Sequence, residues 1–292
     1  MKILLIGKNG QLGWELQRTL APLGEITAID FPEINLAIED QVRVWVRDVH
    51  PNLIVNAAAF TAVDKAESEP ELAMAVNSTA PGILAEEAKA LNASFIHYST
   101  DYVFDGTKSE AYIESDLPNP INAYGWSKLG GDQNVQQVGG SFLIFRPAWI
   151  YSLREGGFVQ KVLTWARTNE TLKIVDDQVG SPTCARMLAE ISALVLAKAG
   201  NELSAWIKER SGSYHLGGDG AVSRLEWAKA ILELDPKKDE QIVKEILPAK
   251  TSDFPTPAKR PLHSPLNCDL FANTFGMRLP GWEDALRLVM GA

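Results

Sequence analysis

The stretch KILLIGKNGQLG, residues 2–13, decides the fold. Lys2–Ile6 is a short apolar run closed by turn residues, which suits a strand buried on both faces of a parallel sheet. Gly7, Gly10 and Gly13 follow at three-residue spacing, and a helix pattern runs from Gln11 to Leu20. Glycines in a strand-to-helix turn let the backbone approach a pyrophosphate, and the helix N-terminus offers it free N–H groups. The spacing differs by one residue from the commoner G-x-G-x-x-G. The strand–helix context therefore carries the expectation of a bound dinucleotide.

Outward from this turn the same alternation repeats. Strand patterns at 25–29, 52–57, 94–98 and 142–145 are separated by helix patterns at 38–49, 69–91 and 121–138. Within the long helical region, Ser78 and Thr79 suit a cap and Pro81 a first turn, so a new helix is predicted to begin there. Alternation of this kind implies an α/β fold, a Rossmann-like doubly wound parallel sheet covered on both faces. Beyond residue 150 the pattern loosens. Helices are expected near 156–168, 183–198 and 223–233, with short strands near 171–175 and 213–217. Residues 1–150 are expected to form an NAD(P)-binding domain. Residues 151–292 are expected to be mostly a smaller C-terminal α/β substrate-binding domain, with segments of about 170–222 returning to the first. Pro255, Pro257, Pro261 and Pro265, with Pro248 just before, make 251–265 a loop crossing a surface or a cleft.

Composition narrows the function classes. The 292 residues carry 28 basic and 37 acidic side chains, a net charge of −9, with 46% hydrophobic content. This is ordinary for a globular protein with a large core. No basic run could track a phosphate backbone, so nucleic acid is not an expected partner. No apolar stretch approaches the roughly 20 residues of a membrane span, and the first apolar run is too short for a signal peptide. Cys184 and Cys268 lack metal-ligand spacing and read as reduced thiols of a cytoplasmic protein. His50, His97, His215 and His263 show no ligand spacing either. His97 lies within a strand pattern and reads as a core group.

Tyr124 and Lys128 lie four apart on a predicted helix, hence on one face. A lysine ammonium beside a phenol favours its ionised form and brings it closer to the range useful for acid–base work. In an open parallel sheet the chemistry belongs at the C-terminal strand ends, where Ser99, Thr100 and Asp101 close the fourth strand. Asp30 closes the second strand about 20 residues past the glycines, where a carboxylate accepts from an adenosine ribose hydroxyl and repels a 2′-phosphate. That tilts the cofactor toward NADH, although Lys8 could meet such a phosphate, and the choice between NADH and NADPH stays open. Asn56–Thr61 offers small side chains at the end of the third strand, with Thr61 able to bond a phosphate or ribose. Trp149 could present a flat face or an indole N–H to a pocket. Arg260, in the proline-rich loop, suits a pyrophosphate by its charge and place.

The order glycine turn, Ser99-Thr100-Asp101, Tyr124-x-x-x-Lys128 resembles that of an extended short-chain dehydrogenase/reductase. GKNGQLGWELQ (7–17), VNAAAFTAVDKAESEPELA (55–73), STDYVFDG (99–106), FRPAWIY (145–151), DDQVGSPT (176–183), FPTPAKRP (254–261) and LPGWEDAL (279–286) resemble the dTDP-4-dehydrorhamnose reductase family from end to end. The resemblance implies a reductase of the 4-keto group of a dTDP-linked sugar, using NADPH or NADH. It implies cofactor contacts from Gly10, Gln11, Leu12, Asp30, Ala59, Phe60, Thr61, Tyr98, Tyr124 and Lys128. It implies substrate contacts from Thr100, Asp101, Tyr124 and Trp149. In the roles it implies, Thr100 holds the substrate carbonyl, Tyr124 gives the proton, and Lys128 bonds the nicotinamide ribose. Some relatives hold Mg²⁺ at a glutamate-rich dimer contact. Glu15 matches one such position and Glu190 could be another, or both are solvated helix residues. A related non-catalytic subunit controls a methionine adenosyltransferase, but the intact Thr100/Tyr124/Lys128 set favours an enzyme. Tyr102 stands where related dehydratases carry a glutamate, which disfavours elimination of water. Ala148 and Gly130 depart from the family pattern.

Overall fold

The computed structural model describes residues 1–154 and 156–291. The first half alternates β1 (Lys2–Ile6), α1 (Gln11–Leu20), β2 (Glu25–Ile29), α2 (Glu39–Val49), β3 (Leu53–Asn56), α3 (Val63–Ser68), α4 (Pro70–Met74), α5 (Ala80–Ala90), β4 (Ser94–Tyr98), α6 (Ala123–Val138) and β5 (Ser141–Arg146). The second half adds β6 (Ile150–Tyr151), α7 (Phe158–Thr168), β7 (Thr171–Val175), β8 (Val179–Gly180), β9 (Thr183–Cys184), α8 (Ala185–Lys198), α9 (Leu203–Lys208), β10 (Gly212–His215), β11 (Val222–Ser223), α10 (Arg224–Glu233), β12 (Glu245–Ala249), α11 (Asp269–Phe275) and α12 (Trp282–Met290).

Six strands form one sheet in the order β2-β1-β3-β4-β5-β10, every pairing parallel. The chain winds from β1 out to β2 and then crosses back to β3 on the other side of β1. That reversal opens a crevice at the carboxyl ends of β1 and β3, the place where such sheets take ligands. Both faces are covered. Leu12, Leu16 and Leu20 of α1 pack with Leu188, Val195 and Leu196 of α8 on one side, and Val42, Val46, Leu84 and Ala88 of α2 and α5 pack on the other.

A second core gathers Val159, Leu163, Ile174, Trp227, Ile231 and Leu286 from the later elements. Of residues 170–222, α8 and β10 lie on the six-stranded sheet, whereas β7 pairs with β12 in the second layer. Pro248 sits within β12, an element the proline content hid.

The prediction of a capped helix start before Pro81 is corrected by the structure. Residues 75–79 form a π-helical turn that runs straight into α5, and Thr79 is helical with no side-chain cap. A π turn widens the backbone locally and is common near functional sites. Here it is met by Gly130 and Gly131 of α6. A Cβ on Gly131 would collide with the Asn77 carbonyl, and one on Gly130 would lie 2.5 Å from Ser78 Oγ. Both glycines therefore serve close helix packing, which offsets their poor helix propensity.

Candidate active site

A cleft of about 940 Å³ runs along the carboxyl ends of β1, β3, β4 and β5, from Gly7, Gly10, Gln11, Leu12 and Asp30 through Ala59 and Thr61 to Thr100, Asp101, Tyr124 and Trp149. At its first end Gly7 has φ 94°, and a Cβ there would lie 2.6 Å from the Ala58 nitrogen. A Cβ on Gly13 would strike the Gly7 carbonyl, so Gly13 works by packing from below. Gly10 caps α1 with no side-chain hydrogen bond. The first N–H groups of the helix thus have no intrahelical partner, and Gly10, Gln11 and Leu12 line the cleft. A backbone cradle at a helix N-terminus fits the pyrophosphate of a dinucleotide.

Asp30 Oδ2 accepts from the Asn9 N–H at 2.9 Å and Oδ1 from the Phe31 N–H at 2.8 Å, so the carboxylate also braces the glycine turn. Lys8, a candidate for a 2′-phosphate, is paired with Glu33 at 2.6 Å. The Phe60 backbone is held by Asn77, which accepts its N–H at 2.8 Å and donates to its carbonyl at 3.0 Å. Asn77 also donates to Ser127 Oγ, tying this loop to α6. Sequence reading missed Asn77, because its role depends on the π turn that aims it.

At the other end α6 begins with Asn122, whose side chain accepts from the Gly125 N–H at 2.7 Å. This cap sets Tyr124 in the first turn, where its ring meets Tyr102 edge-on at 5.7 Å. Burial raises the Tyr124 phenol above its ordinary value, a contact with the Thr100 hydroxyl opposes this, and Asp101 reinforces it. The expectation that Lys128 lowers the Tyr124 pKa is not met in this structure. The Lys128 ammonium instead donates to the Tyr98 carbonyl at 2.6 Å and lies 3.4 Å from His97 Nε2. Burial pulls Lys128 down to about 8, with Asp132 acting the other way. Tyr98 contributes this carbonyl, while its hydroxyl donates into the core to Ser192 at 2.8 Å. His97 is a core group, held neutral first by burial and then by Lys128. Beneath them Asp132 accepts from Ser99 Oγ and from Arg146, each at 2.7 Å and all buried.

Thr100 Oγ donates to Asp101 Oδ1 at 3.1 Å, and Ser264 donates to Asp101 Oδ2 at 2.6 Å. Burial pushes the Asp101 carboxyl up to about 6 against these bonds. Trp149 holds φ 45°, a left-handed value rare for a bulky residue. Its ring lies on Gly180, where a Cβ would be 2.5 Å away, and stacks on Trp227. Arg260 does not itself line the cleft but stands against Tyr102, which does. Its guanidinium grips Asp64 at 2.7 and 3.1 Å and ties the proline-rich loop to α3. Arg224, from the second half, lines the cleft instead. Ala148 is buried in an apolar cluster with Val103, Phe104 and Leu129.

Glu15 is occupied by Arg18 at 2.7 Å and Arg186 at 3.8 Å, and Glu190 is exposed on α8. Among the described residues no group of three or more His, Cys, Asp or Glu could hold a metal ion. No helix among them is long and apolar enough to cross a membrane.

The family described as the RmlD substrate binding domain matches residues 1–292. A dTDP-4-dehydrorhamnose reductase of Burkholderia thailandensis is 44% identical over 99% of this chain and 97% of its own length. This chain belongs to the dTDP-4-dehydrorhamnose reductase family. Among solved structures, a reductase of that name from Clostridium acetobutylicum superposes with a TM-score of 0.90 at 34% identity, covering 100% of this chain and 99% of that one. One from Bacillus anthracis, in complex with NADP, superposes at 0.87 and 32% identity, covering 99% and 98%.

Proposed function

We propose that the protein reduces the C4 keto group of dTDP-4-dehydro-β-L-rhamnose to dTDP-β-L-rhamnose, in the biosynthesis of dTDP-rhamnose. The observation that carries this reading is one continuous cleft joining the uncapped α1 terminus to Thr100 and Tyr124 in a chain of this family. A reduced nicotinamide dinucleotide supplies the hydride. Gly7, Gly10, Gln11 and Leu12 would hold its pyrophosphate, Asp30 its adenosine ribose, and Ala59, Phe60 and Thr61 the next stretch. Lys128, anchored on the Tyr98 carbonyl, supports the nicotinamide ribose side.

In the unliganded protein the Thr100 hydroxyl gives its single proton to Asp101, and Thr100 orients the substrate carbonyl by turning that donor to it on binding. Tyr124 donates the proton to the oxygen at C4. The Tyr124 phenol is protonated at neutral pH, which is the form a reduction uses. Trp149 covers the sugar-nucleotide side. Tyr102 fills the place of a second carboxylate with an aromatic edge, which leaves reduction without a competing elimination.

The division of labour we propose gives residues 1–150 to the cofactor and the later layer to the substrate. We place the enzyme in the cytoplasm, in keeping with two free buried thiols, Cys184 and Cys268. The outer face of α1 and α8, where Glu15 meets Arg186 and Leu194 of α8 is exposed, is our candidate homodimer contact.

The test mixes the protein with dTDP-4-dehydrorhamnose and each reduced cofactor separately, following nicotinamide absorbance and product. Rapid oxidation with dTDP-rhamnose formed is expected. Tight cofactor binding without turnover would refute the proposed activity.

A further inference from the structure

Arg224 is the first residue of α10, set by Ser223, whose hydroxyl accepts the Glu226 N–H at 3.1 Å. Its guanidinium carbon lies 3.6 Å from the ring centroid of Trp149, 4.8 Å from that of Phe158 and 5.5 Å from that of Trp227. Trp227 stacks on Trp149 and Phe158 in turn, each at an interplanar angle of 23°. A guanidinium packed against aromatic faces keeps its N–H donors in its own plane, free for another group. Among the described residues no carboxylate lies within ion-pair distance of it, although the chain carries an excess of acidic side chains. Asp101, the acidic group nearest in effect, has its oxygens taken by the Ser264 and Thr100 hydroxyls. Arg260, across Tyr102, is neutralised by Asp64.

The cleft therefore holds, on an aromatic floor at its Trp149 end, a cation that Asp101 acts on from beyond ion-pair distance and that no carboxylate of the described residues grips directly. An arginine so placed is built for a phosphate-type anion, which it can grip through two parallel N–H bonds. Resting on the reading that this cleft takes a dTDP-linked sugar, we infer that Arg224 binds the diphosphate of that substrate. It is a specificity residue for the nucleotide diphosphate, in the role that sequence alone offered to Arg260.

The experiment is calorimetric binding of dTDP and of NADPH to the full chain, for the wild type, Arg224→Gln and Arg224→Lys. An NMR titration with thymidine, which reads millimolar binding, accompanies it. Loss of a charge-assisted bidentate contact is expected to weaken dTDP about 10- to 100-fold in Arg224→Gln. Thymidine and NADPH are expected to bind unchanged, and Arg224→Lys to recover part of the loss. NADPH binding also reports that each variant is folded. Equal loss for thymidine and dTDP would make Arg224 a structural support for Trp149 and overturn the inference. Weaker NADPH with unchanged dTDP would assign the anion to the cofactor and overturn it too. A wild type that binds NADPH but no dTDP would overturn the substrate reading itself, whereas unchanged dTDP binding in Arg224→Gln would refute only the role of Arg224.

Discussion

Replacing Lys128 with methionine is expected to stabilise the unliganded protein while destroying its activity. Lys128 is about 1% exposed, and burial lowers its pKa from 10.5 to about 8. At about 1.4 kcal/mol per unit, holding the charge in the folded state at neutral pH carries a penalty of roughly 3 kcal/mol. Methionine has similar length and no charge. Its introduction leaves the Tyr98 carbonyl without its lysine partner, a loss of about 1–2 kcal/mol. The difference favours the variant by about 1–2 kcal/mol, or a few degrees in Tm for a chain of this size. The pH dependence follows from the direction of the shift. Below about pH 8 both folded and unfolded chains hold the proton, and the folded state carries the full penalty. Between about 8 and 10.5 the folded lysine is neutral while the unfolded one is still charged, so wild-type stability rises relative to the variant. Above this window the penalty is gone. Thermal unfolding of both proteins at pH 7, 9 and 10.5 measures it. A variant that melts several degrees below wild type at pH 7, or an advantage that does not shrink with rising pH, would refute the reasoning.

Three further outcomes are expected. Tyr124→Phe should cut turnover by about 10²–10⁴-fold, the usual contribution of a positioned general acid, with cofactor and dTDP affinities kept; fast turnover in single-turnover kinetics would remove Tyr124 as the donor. Asp30→Ser should raise the ratio of kcat/KM for NADPH over NADH by roughly tenfold, about 1.4 kcal/mol, because the negative charge that closes β2 beside the glycine turn is gone, while the Lys8–Glu33 pair limits the gain. An unchanged ratio in steady-state assays would show that Asp30 serves only to brace the glycine turn. Asp132→Ala should destabilise by about 3–5 kcal/mol, since Arg146 is left buried without its counter-charge; a urea midpoint near that of wild type would show that water or His215 compensates.

What the chain reveals before folding is local. Gly7, Gly10 and Gly13 mark a tight strand–helix turn through spacing alone, and Tyr124 and Lys128 share a face because a helix repeats every 3.6 residues. The strands are legible because each is a short apolar run between turn residues. The misplaced features all depend on contacts distant in sequence. Arg260 and Arg224 are both basic residues in the second half, and nothing local tells them apart. Only Asp64, 196 positions before Arg260, neutralises one and leaves the other open to the cleft. Lys128 likewise has the correct spacing from Tyr124, yet its nearest acceptor is the Tyr98 carbonyl at the end of a strand. The π turn at 75–79 was hidden by good cap residues, and the two glycines that seat against it lie more than 50 residues away on α6.

The placement of charge in the cleft separates two demands that would conflict at one point. A diphosphate needs a cation, and a cation beside a phenol favours loss of its proton. A reduction needs that phenol protonated until the oxygen at C4 becomes basic. Two positive side chains near the proposed chemistry are held by different means. Lys128 is buried until its pKa falls to about 8 and is tethered to a carbonyl. Arg224 is stacked on the aromatic floor of Trp149 and Trp227, from where it acts by charge on Asp101. Between them Asp101, raised to about 6 by burial, accepts from Thr100 and reinforces the proton affinity of Tyr124. On the proposed reading, in which Tyr124 is the proton donor, the Asp101 carboxylate favours the protonated phenol. The same proposed reading favours Tyr102 over a second carboxylate after Asp101. Another negative charge there would lie close to the substrate carbonyl and oppose the negative charge that builds on its oxygen during reduction.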